Sequence, residues 1–498
     1  MKRRLPDAFY NPLSVGGAAL AAVSFATIVF LTAVDLLTTQ PAAYIGIVSY
    51  VILPVPLLLG LIIVLIGILR ERGRRKRGMP ASRLLYTVDL NSPRQRTAAT
   101  IVATGTVILL LFTAYGSYRT FEWTESVSFC GTTCHAVMEP EFTAYQNSPH
   151  ARVKCVDCHV GSGATWYVRS KLSGAYQVYA VLANVYPRPI PTPIHNLRPA
   201  QETCEQCHWP VHFSGDKSVV NTYFRSDDQN SRWTIALLMK IGGGHADRGA
   251  PGGIHWHMNI DNEITYASSD TLRQSIPWVR IRNRATGEMR EFTVRDAPLS
   301  GEELGRLPRN RMDCIDCHNR PSHIYRPPVR IVDQSLALGR ISTAIPGIRA
   351  AAVDLLVHPF LTSGEAADSI PILLHDTYEK RMGTIPDSLR PLLDAAAMEL
   401  RDQYRRNFFP AMGVSWKAYP NNIGHMTDLG CFRCHDGNHV SPDGRVISKD
   451  CNTCHTIMYQ GPAPRPTALT AGGLTFQHPE DVGDAWRSTN CKECHSGQ

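Results

Sequence analysis

The sequence predicts a membrane-anchored protein in which three transmembrane helices precede an exported, mainly α and irregular domain with a small β insertion. Three observations predict it. Long apolar runs are confined to the start of the chain. Basic residues cluster on one side of those runs. Each of the 14 cysteines belongs to a pair that a histidine follows directly. With 498 residues there is room for two or three domains. The apolar content of 44% is ordinary, so its distribution is the informative part.

The apolar runs are residues 13–34, 42–69 and 98–118, each reaching the roughly 20 residues that a helix needs to cross a bilayer. Pro54 and Pro56 interrupt the second run, which is longer than necessary and is expected to kink or tilt there. A cleavable signal peptide would be one shorter run with a small-residue cleavage site, so all three runs read as retained. The start MKRR and the loop 70–97, which holds RERGRRKR, are basic, whereas the turn Leu36–Pro41 has no Lys or Arg. Cytoplasmic loops carry the Lys/Arg excess. The N-terminus and the basic loop are therefore expected in the cytoplasm, and the chain from Phe121 onward in the periplasm of a bacterial inner membrane. Tyr115, Tyr118, Phe121 and Trp123 would form an aromatic belt at that face. The net charge of +8 is thus a topology signal rather than a nucleic-acid footprint.

The cysteine pairs are Cys130/Cys134, Cys155/Cys158, Cys204/Cys207, Cys314/Cys317, Cys431/Cys434, Cys451/Cys454 and Cys491/Cys494. The histidines that follow them are His135, His159, His208, His318, His435, His455 and His495. Disulfides would suit an exported domain but would not require those histidines. An all-cysteine zinc site gives them no role either. Covalent haem accounts for all three residues. Two thiols on one helical turn face the same way and reach both vinyl groups of a porphyrin, and the next imidazole becomes the proximal ligand to iron. Six sets are CxxCH and the first is CxxxCH, whose thiols at i and i+4 also share a helix face. The chain therefore reads as a multihaem cytochrome c with seven covalently attached haems.

Of 19 histidines, twelve lie outside the motifs, enough for mostly bis-histidine, low-potential sites. The candidate distal ligands are His150, His323, His425 and His439, each close to a motif, His478, the free histidine near the last two motifs, and His257. In GIHWHM, His255 and His257 alternate as on a strand and should point the same way, so at most one need bind iron; His257 is preferred. His358 and His375 read as structural, and His195, His212 and His245 stay undecided. Met138 is a candidate ligand to the first iron, where a thioether raises the potential; the alternative is that it packs against the ring.

The expected organisation is a membrane anchor at 1–118, a trihaem segment at 119–212 and a β-rich, haem-free insertion at 213–310. A fourth haem segment at 311–330, a helical haem-poor segment at 331–420 and a C-terminal trihaem module at 421–498 follow. Porphyrins rather than an apolar core should fill the haem-dense segments. GGGHADRGAPGG has neither P-loop nor Rossmann spacing.

A membrane helix running into FCGTTCHAVMEP, then SPHARVKCVDCHVGSGA, then LRPAQETCEQCHWP, resembles the NapC/NirT/NrfH family of membrane-anchored quinol dehydrogenases. The resemblance covers about Ala98–Pro210, with Cys314–His318 as the fourth haem after an insertion. Three spans instead of one, and three further haems, depart from the tetrahaem members and look like inner-membrane cytochromes of the ImcH type. The resemblance implies a quinol site at the first haem, with a methionine shortly after the motif and a lysine on the helix after the second motif. Met138 and Lys171 match these positions. The family's acidic residue is unmatched, since Gln177 and Val178 occupy its place, and Asp35 is the substitute candidate for proton acceptor. The implied function is oxidation of menaquinol or ubiquinol and relay of electrons to periplasmic cytochromes. The alternatives are a terminal reductase of nitrogen or sulfur oxyanions, and an electron-transfer subunit of a larger respiratory complex.

Overall fold

The computed structural model describes residues 9, 11–37, 53–80, 91–133, 135–160, 164–194, 199–209, 215–242, 252–462 and 472–496. They form two compact units, one of Met1–Ser126 with Val160–Ala175 and the other of Val127–His159 with Tyr176–Gln498.

The first unit contains α1 (Pro12–Leu37), α2 (Pro54–Lys76) and α3 (Pro93–Thr124). Among the described residues two helices, Pro12–Leu31 and Pro54–Lys76, are long and apolar enough to cross a membrane, where the sequence predicts three. The run 98–118 lies within the 32-residue α3. Residues 42–52 of the second run lie outside the described residues. Pro54 and Pro56 stand in the first turn of α2, and the expected kink involves preceding residues that lie outside the described ones. In the first helical turn a missing N–H leaves no intrahelical bond unmade. α1 and α2 approach closely at Gly17 and Gly60. A Cβ on Gly17 would sit 2.6 Å from the Gly60 carbonyl oxygen, and one on Gly60 would sit 2.7 Å from that of Gly17. Ser14 Oγ donates to the Val64 carbonyl across the same interface at 3.1 Å.

In the second unit the strands between 213 and 310 do not form one self-contained insertion. They divide between two antiparallel sheets, and a strand from the C-terminal part completes each. β1 (Asp216–Phe224) and β2 (Arg232–Lys240) form a hairpin that β8 (His455–Gly461) extends, in the order β1-β2-β8. β3 (Asn262–Ala267), β4 (Trp278–Asn283), β5 (Met289–Val294), β6 (Arg309–Arg311) and β7 (His439–Val440) make the other, in the order β6-β3-β4-β5-β7. Motif residue His455 is itself a strand residue, paired with Met239 of β2. The alternating β-branched residues thus supply the frame on which the last motifs are mounted.

The helical stretch has an apolar core of its own. α4 (Pro328–Ala337), α5 (Ile348–Val357), α6 (Ser363–Met382) and α7 (Arg390–Asn407) bury Val332, Ile348, Ile370, Leu374, Leu393 and Leu400 together. In α7 the buried positions Leu393, Ala396, Ala397, Leu400 and Tyr404 follow the spacing of one helix face. The Thr362 hydroxyl caps α6 by accepting from the Glu365 N–H at 3.0 Å.

Candidate metal centres

The motifs fold as single helical turns. The backbone N–H of the histidine donates to the carbonyl of the first cysteine in four of them: His208 to Cys204 at 2.7 Å, His318 to Cys314 at 2.8 Å, His435 to Cys431 at 3.0 Å and His495 to Cys491 at 2.8 Å. This bond brings both thiols and the imidazole to one side of the turn. In the fourth motif Asp313 and Asp316 form a capping box that fixes the start of the turn. In the sixth, Asp450 caps by accepting from Asn452 N–H.

Each of the six motif histidines whose side chains are described faces a second histidine. Ring centres lie 6.2 Å apart for His159 and His323, 6.0 Å for His208 and His150, and 6.3 Å for His318 and His255. The corresponding separations are 5.8 Å for His435 and His257, 6.2 Å for His455 and His425, and 5.9 Å for His495 and His478. An iron held between two imidazoles needs about 2 Å to each nitrogen and about 1 Å more to each ring centre, so about 6 Å overall. The pairs have the separation that a haem iron between them requires.

Hydrogen bonds at the far side of the rings agree with this. His257 Nδ1 is 2.8 Å from the Ile254 carbonyl oxygen, His435 Nδ1 is 2.9 Å from that of Ser448, and His150 Nδ1 is 3.2 Å from that of Pro321. His323 Nδ1 lies 3.0 Å from the Glu141 carbonyl oxygen and 3.0 Å from its carboxylate. A carbonyl only accepts, so the ring proton is on Nδ1 and Nε2 keeps its lone pair for a metal. Burial opposes ionisation of Glu141, but His323 and Arg320, 3.2 Å away, hold its carboxyl down at about 2. The residues present fit covalent haem with two axial imidazoles.

Two expectations are corrected. His439 is no ligand candidate: Nδ1 meets Asp436 at 2.9 Å and Nε2 meets the Ile276 carbonyl at 2.7 Å, so neither ring nitrogen is left for iron. His255 and His257 do not share a direction, because Ile254–Met258 is a 3-10 turn rather than a strand. Positions two apart on a threefold turn diverge, and each ring meets a different motif histidine. The distal partners also cross between segments. His150 precedes the second motif but faces the third, His323 follows the fourth but faces the second, and His425 precedes the fifth but faces the sixth.

The fourteen cysteines that the sequence assigns to haem attachment differ in their surroundings. The fold does not shelter them equally. Cys207 and Cys494 are exposed rather than enclosed by the chain, as are Cys158 and Cys451. In each of those motifs the other thiol, Cys204, Cys491, Cys155 or Cys454, is half-buried. The helix Cys491–Cys494 has four residues and buries none of them. Cys207 follows the five-residue helix Ala200–Cys204, which buries only Ala200, and its N–H closes the next turn onto the Cys204 carbonyl at 3.1 Å. A single turn has no second row of side chains to cover its outer thiol, so any shelter comes from the rest of the chain.

Thiols of consecutive motifs are neighbours. Cys155 is hydrogen-bonded to Cys130 and Cys204 to Cys314. Cys158 and Cys204, Cys317 and Cys431, Cys454 and Cys431, and Cys491 and Cys451 lie close enough to interact electrostatically. Exposed Cys207 belongs to the same succession, close enough to Cys158 to act on it, and Cys494 acts on Cys491 within its own motif. The motifs therefore follow one another in space in the order of the chain.

At the first motif, Cys134 lies outside the described residues, as do the side chains of His135, Lys171 and Asp35. Half-buried Met138 lies on the helix His135–Gln146, one turn after His135. Lys171 lies on the helix Ala164–Leu182, and Asp35 near the end of α1. His195, His212 and His245 lie outside the described residues. His375 Nε2 is bound to Asp394 at 2.8 Å, away from any motif.

The fold and these centres define a membrane-anchored multihaem c-type cytochrome of electron transport. The chain belongs to the NapC/NirT cytochrome c family, whose N-terminal region model matches residues 92–189. It is 43% identical to the cytochrome c-type protein ImcH of Geobacter sulfurreducens over 494 residues, 99% of this chain and 96% of the relative. It is 28% identical to the cytochrome c-type protein NrfH of Wolinella succinogenes over 103 residues, 20% of this chain and 53% of that one. No solved structure matches the chain.

Proposed function

We propose that this cytochrome oxidises membrane quinol beside its first haem and passes electrons along seven haems to periplasmic redox partners. The observation that carries the reading is the unbroken succession of motifs, six of them with facing imidazoles. Bound haem supplies the one-electron chemistry. The protein supplies position and ligation. His150, His257, His323, His425 and His478 are the distal ligands of the third, fifth, second, sixth and seventh sites, held by the partners described above. Met138 is the candidate ligand or neighbour of the first iron.

The residues 98–118 of α3 form the third span, with the N-terminus and the basic loop in the cytoplasm and the haem-bearing unit in the periplasm. Quinol, menaquinol or ubiquinol, binds near Met138 and Lys171. It releases two protons toward the periplasmic side, with Asp35 as acceptor, while its two electrons leave singly. Terminal reduction of a nitrogen or sulfur oxyanion needs an open sixth position, and six motif histidines each face a second one, which favours electron transfer over that reading. A role as subunit of a larger respiratory complex is compatible with it.

The test is to add a reduced quinol to membranes that contain the protein and follow the haem α-band. Reduction is expected, slower in Lys171→Ala. Oxidised haems that stay oxidised overturn the proposal.

A further inference from the structure

We propose that the single turn Ile254–Met258 supplies the distal ligands of two consecutive haems, His255 to the fourth and His257 to the fifth, and makes those two haems electronically unlike. This rests on the haem reading above and goes beyond it in assigning His255 and in distinguishing the two sites.

The turn is built for this. Gly253 caps it with φ of 82°, where a Cβ would come within 2.5 Å of the Lys240 carbonyl oxygen at the end of β2; only glycine lets the chain fold back so tightly. His255 N–H donates to the Ile241 carbonyl at 2.9 Å, which joins the turn to the chain just beyond that strand. Asn262 Nδ2 donates to the Trp256 carbonyl at 2.9 Å from β3, so the other sheet holds it as well. Between the two sheets, the 3-10 geometry sends the two imidazoles to opposite motifs. The fifth site has a slot for its ring: a cavity of about 290 Å³ lined by His257, His435, Cys434, Ile264, Val279 and Phe292. Its walls are mostly apolar, with the two imidazoles and Thr453 as the polar groups, and Cys434 is the second thiol of the fifth motif.

The planes of the facing rings differ sharply between the two sites. His255 and His318 are 8° from parallel, whereas His257 and His435 are 83° apart. Parallel imidazoles donate into the same iron d orbital and split it from its partner, which gives a rhombic low-spin ferric signal. Perpendicular imidazoles donate equally into both, leaving them nearly degenerate, and the signal is strongly axial with a large g maximum. One short turn thus presents neighbouring haems with ligand fields of opposite symmetry.

The experiment is EPR of the oxidised full-length holoprotein in detergent, with haem content measured on the same samples. The His255→Ala difference spectrum should show one rhombic low-spin signal replaced by one high-spin iron, and the His257→Ala difference spectrum one large-g-maximum signal replaced likewise. Loss of the same signal in both variants, or no high-spin iron in either, overturns the proposal. Where an alanine variant loses haem, His255→Met and His257→Met replace it: each should raise the potential of one haem in a redox titration, and unchanged potentials overturn the assignment. Quinol-driven reduction of the wild type separates the two readings. Low-spin haems that quinol does not reduce would sink the quinol-oxidation reading and leave the ligand assignment standing.

Discussion

Arg433, between the cysteines of the fifth motif, donates through Nη2 to the backbone carbonyl of Asp316, between the cysteines of the fourth, at 2.6 Å. The same guanidinium reaches the carbonyls of Gly430 and Arg273, both at 2.9 Å. Arg273 in turn pairs with the Asp316 carboxylate at 2.9 Å. Two motifs more than a hundred residues apart in sequence are thereby fastened by one buried side chain.

Replacing that side chain should loosen both motifs together. Arg433→Ala leaves three carbonyls without their charged donor, and a loss of about 3 kcal/mol is expected in denaturant unfolding of the holoprotein. Arg433→Lys should recover only part, because a point ammonium cannot span three acceptors that the planar fork reaches at once. Equal stability of the three proteins would show that the fork does not fasten the motifs.

His439 should behave as a structural cation. Both its neighbours, the Asp436 carboxylate and the Ile276 carbonyl, are acceptors, so both ring nitrogens must carry protons. Burial works against the charge, but the hydrogen bond and charge of Asp436 outweigh it and raise the His439 pKa above its ordinary 6.5. A raised pKa means that the contribution is complete below pH 6.5 and is lost as pH rises through the folded value. The Asp436 pKa is lowered from 3.8, so that residue's contribution is present above this pH and lost on acidification. Stability from the pair should therefore be greatest between these limits. His439→Gln should cost about 1–2 kcal/mol near pH 6 and less at alkaline pH, without adding high-spin iron. His425→Ala should do the reverse and open one iron.

How much of this was legible follows from which interactions are local. The CxxCH turns are written in adjacent residues, so sequence spacing reveals the thiols and proximal histidines directly. Their unequal shelter is not written there, since what covers Cys434 and leaves Cys207 and Cys494 exposed comes from elsewhere in the chain. The distal partners are not local either: His150, His323 and His425 sit beside one motif and face another, a pairing that tertiary packing decides. Proximity to Cys434 makes His439 look equivalent to them, but one acceptor at its ring is Asp436, three residues earlier, and the other is the Ile276 carbonyl from the distant chain just before β4. The IHWHM stretch differs from its sequence pattern for a related reason. Alternation suggested a strand, while the glycines before it permitted a 3-10 turn, and that change of period sends two histidines to two sites. The β-rich insertion had the right residue types, yet its closing strands, His439–Val440 and His455–Gly461, belong to the C-terminal motifs.

The helical core should be separable from the centres. Leu393 on α7 is fully buried among Ile370, Leu374 and Leu400, all in the same apolar cluster. Leu393→Ala is expected to cost about 3 kcal/mol, the ordinary result of leaving a cavity of that size. Its oxidised EPR spectrum should match the wild type, because the cluster contains no motif residue. A new high-spin signal in this variant would mean that the helices position ligands as well as packing against one another.

The membrane helices allow a test in which a one-residue shift changes the answer. Gly16 and Gly17 are adjacent on α1, yet a Cβ added at Gly16 meets nothing within 4 Å, while one at Gly17 lands 2.6 Å from the Gly60 carbonyl. Without a hydrophobic drive between helices in lipid, close approach through small residues is what holds such a pair. Gly17→Val must therefore push α1 away from α2, at an expected cost of about 1–3 kcal/mol for overpacking, and Gly16→Val should be tolerated. Helix unfolding of the detergent-solubilised protein, titrated with a denaturing detergent and followed by circular dichroism, compares them. Gly60→Val should reproduce Gly17→Val, since the contact is reciprocal. The haem spectrum should stay constant across all three variants. Equal sensitivity of Gly16→Val and Gly17→Val would place the contact on another face of the helix.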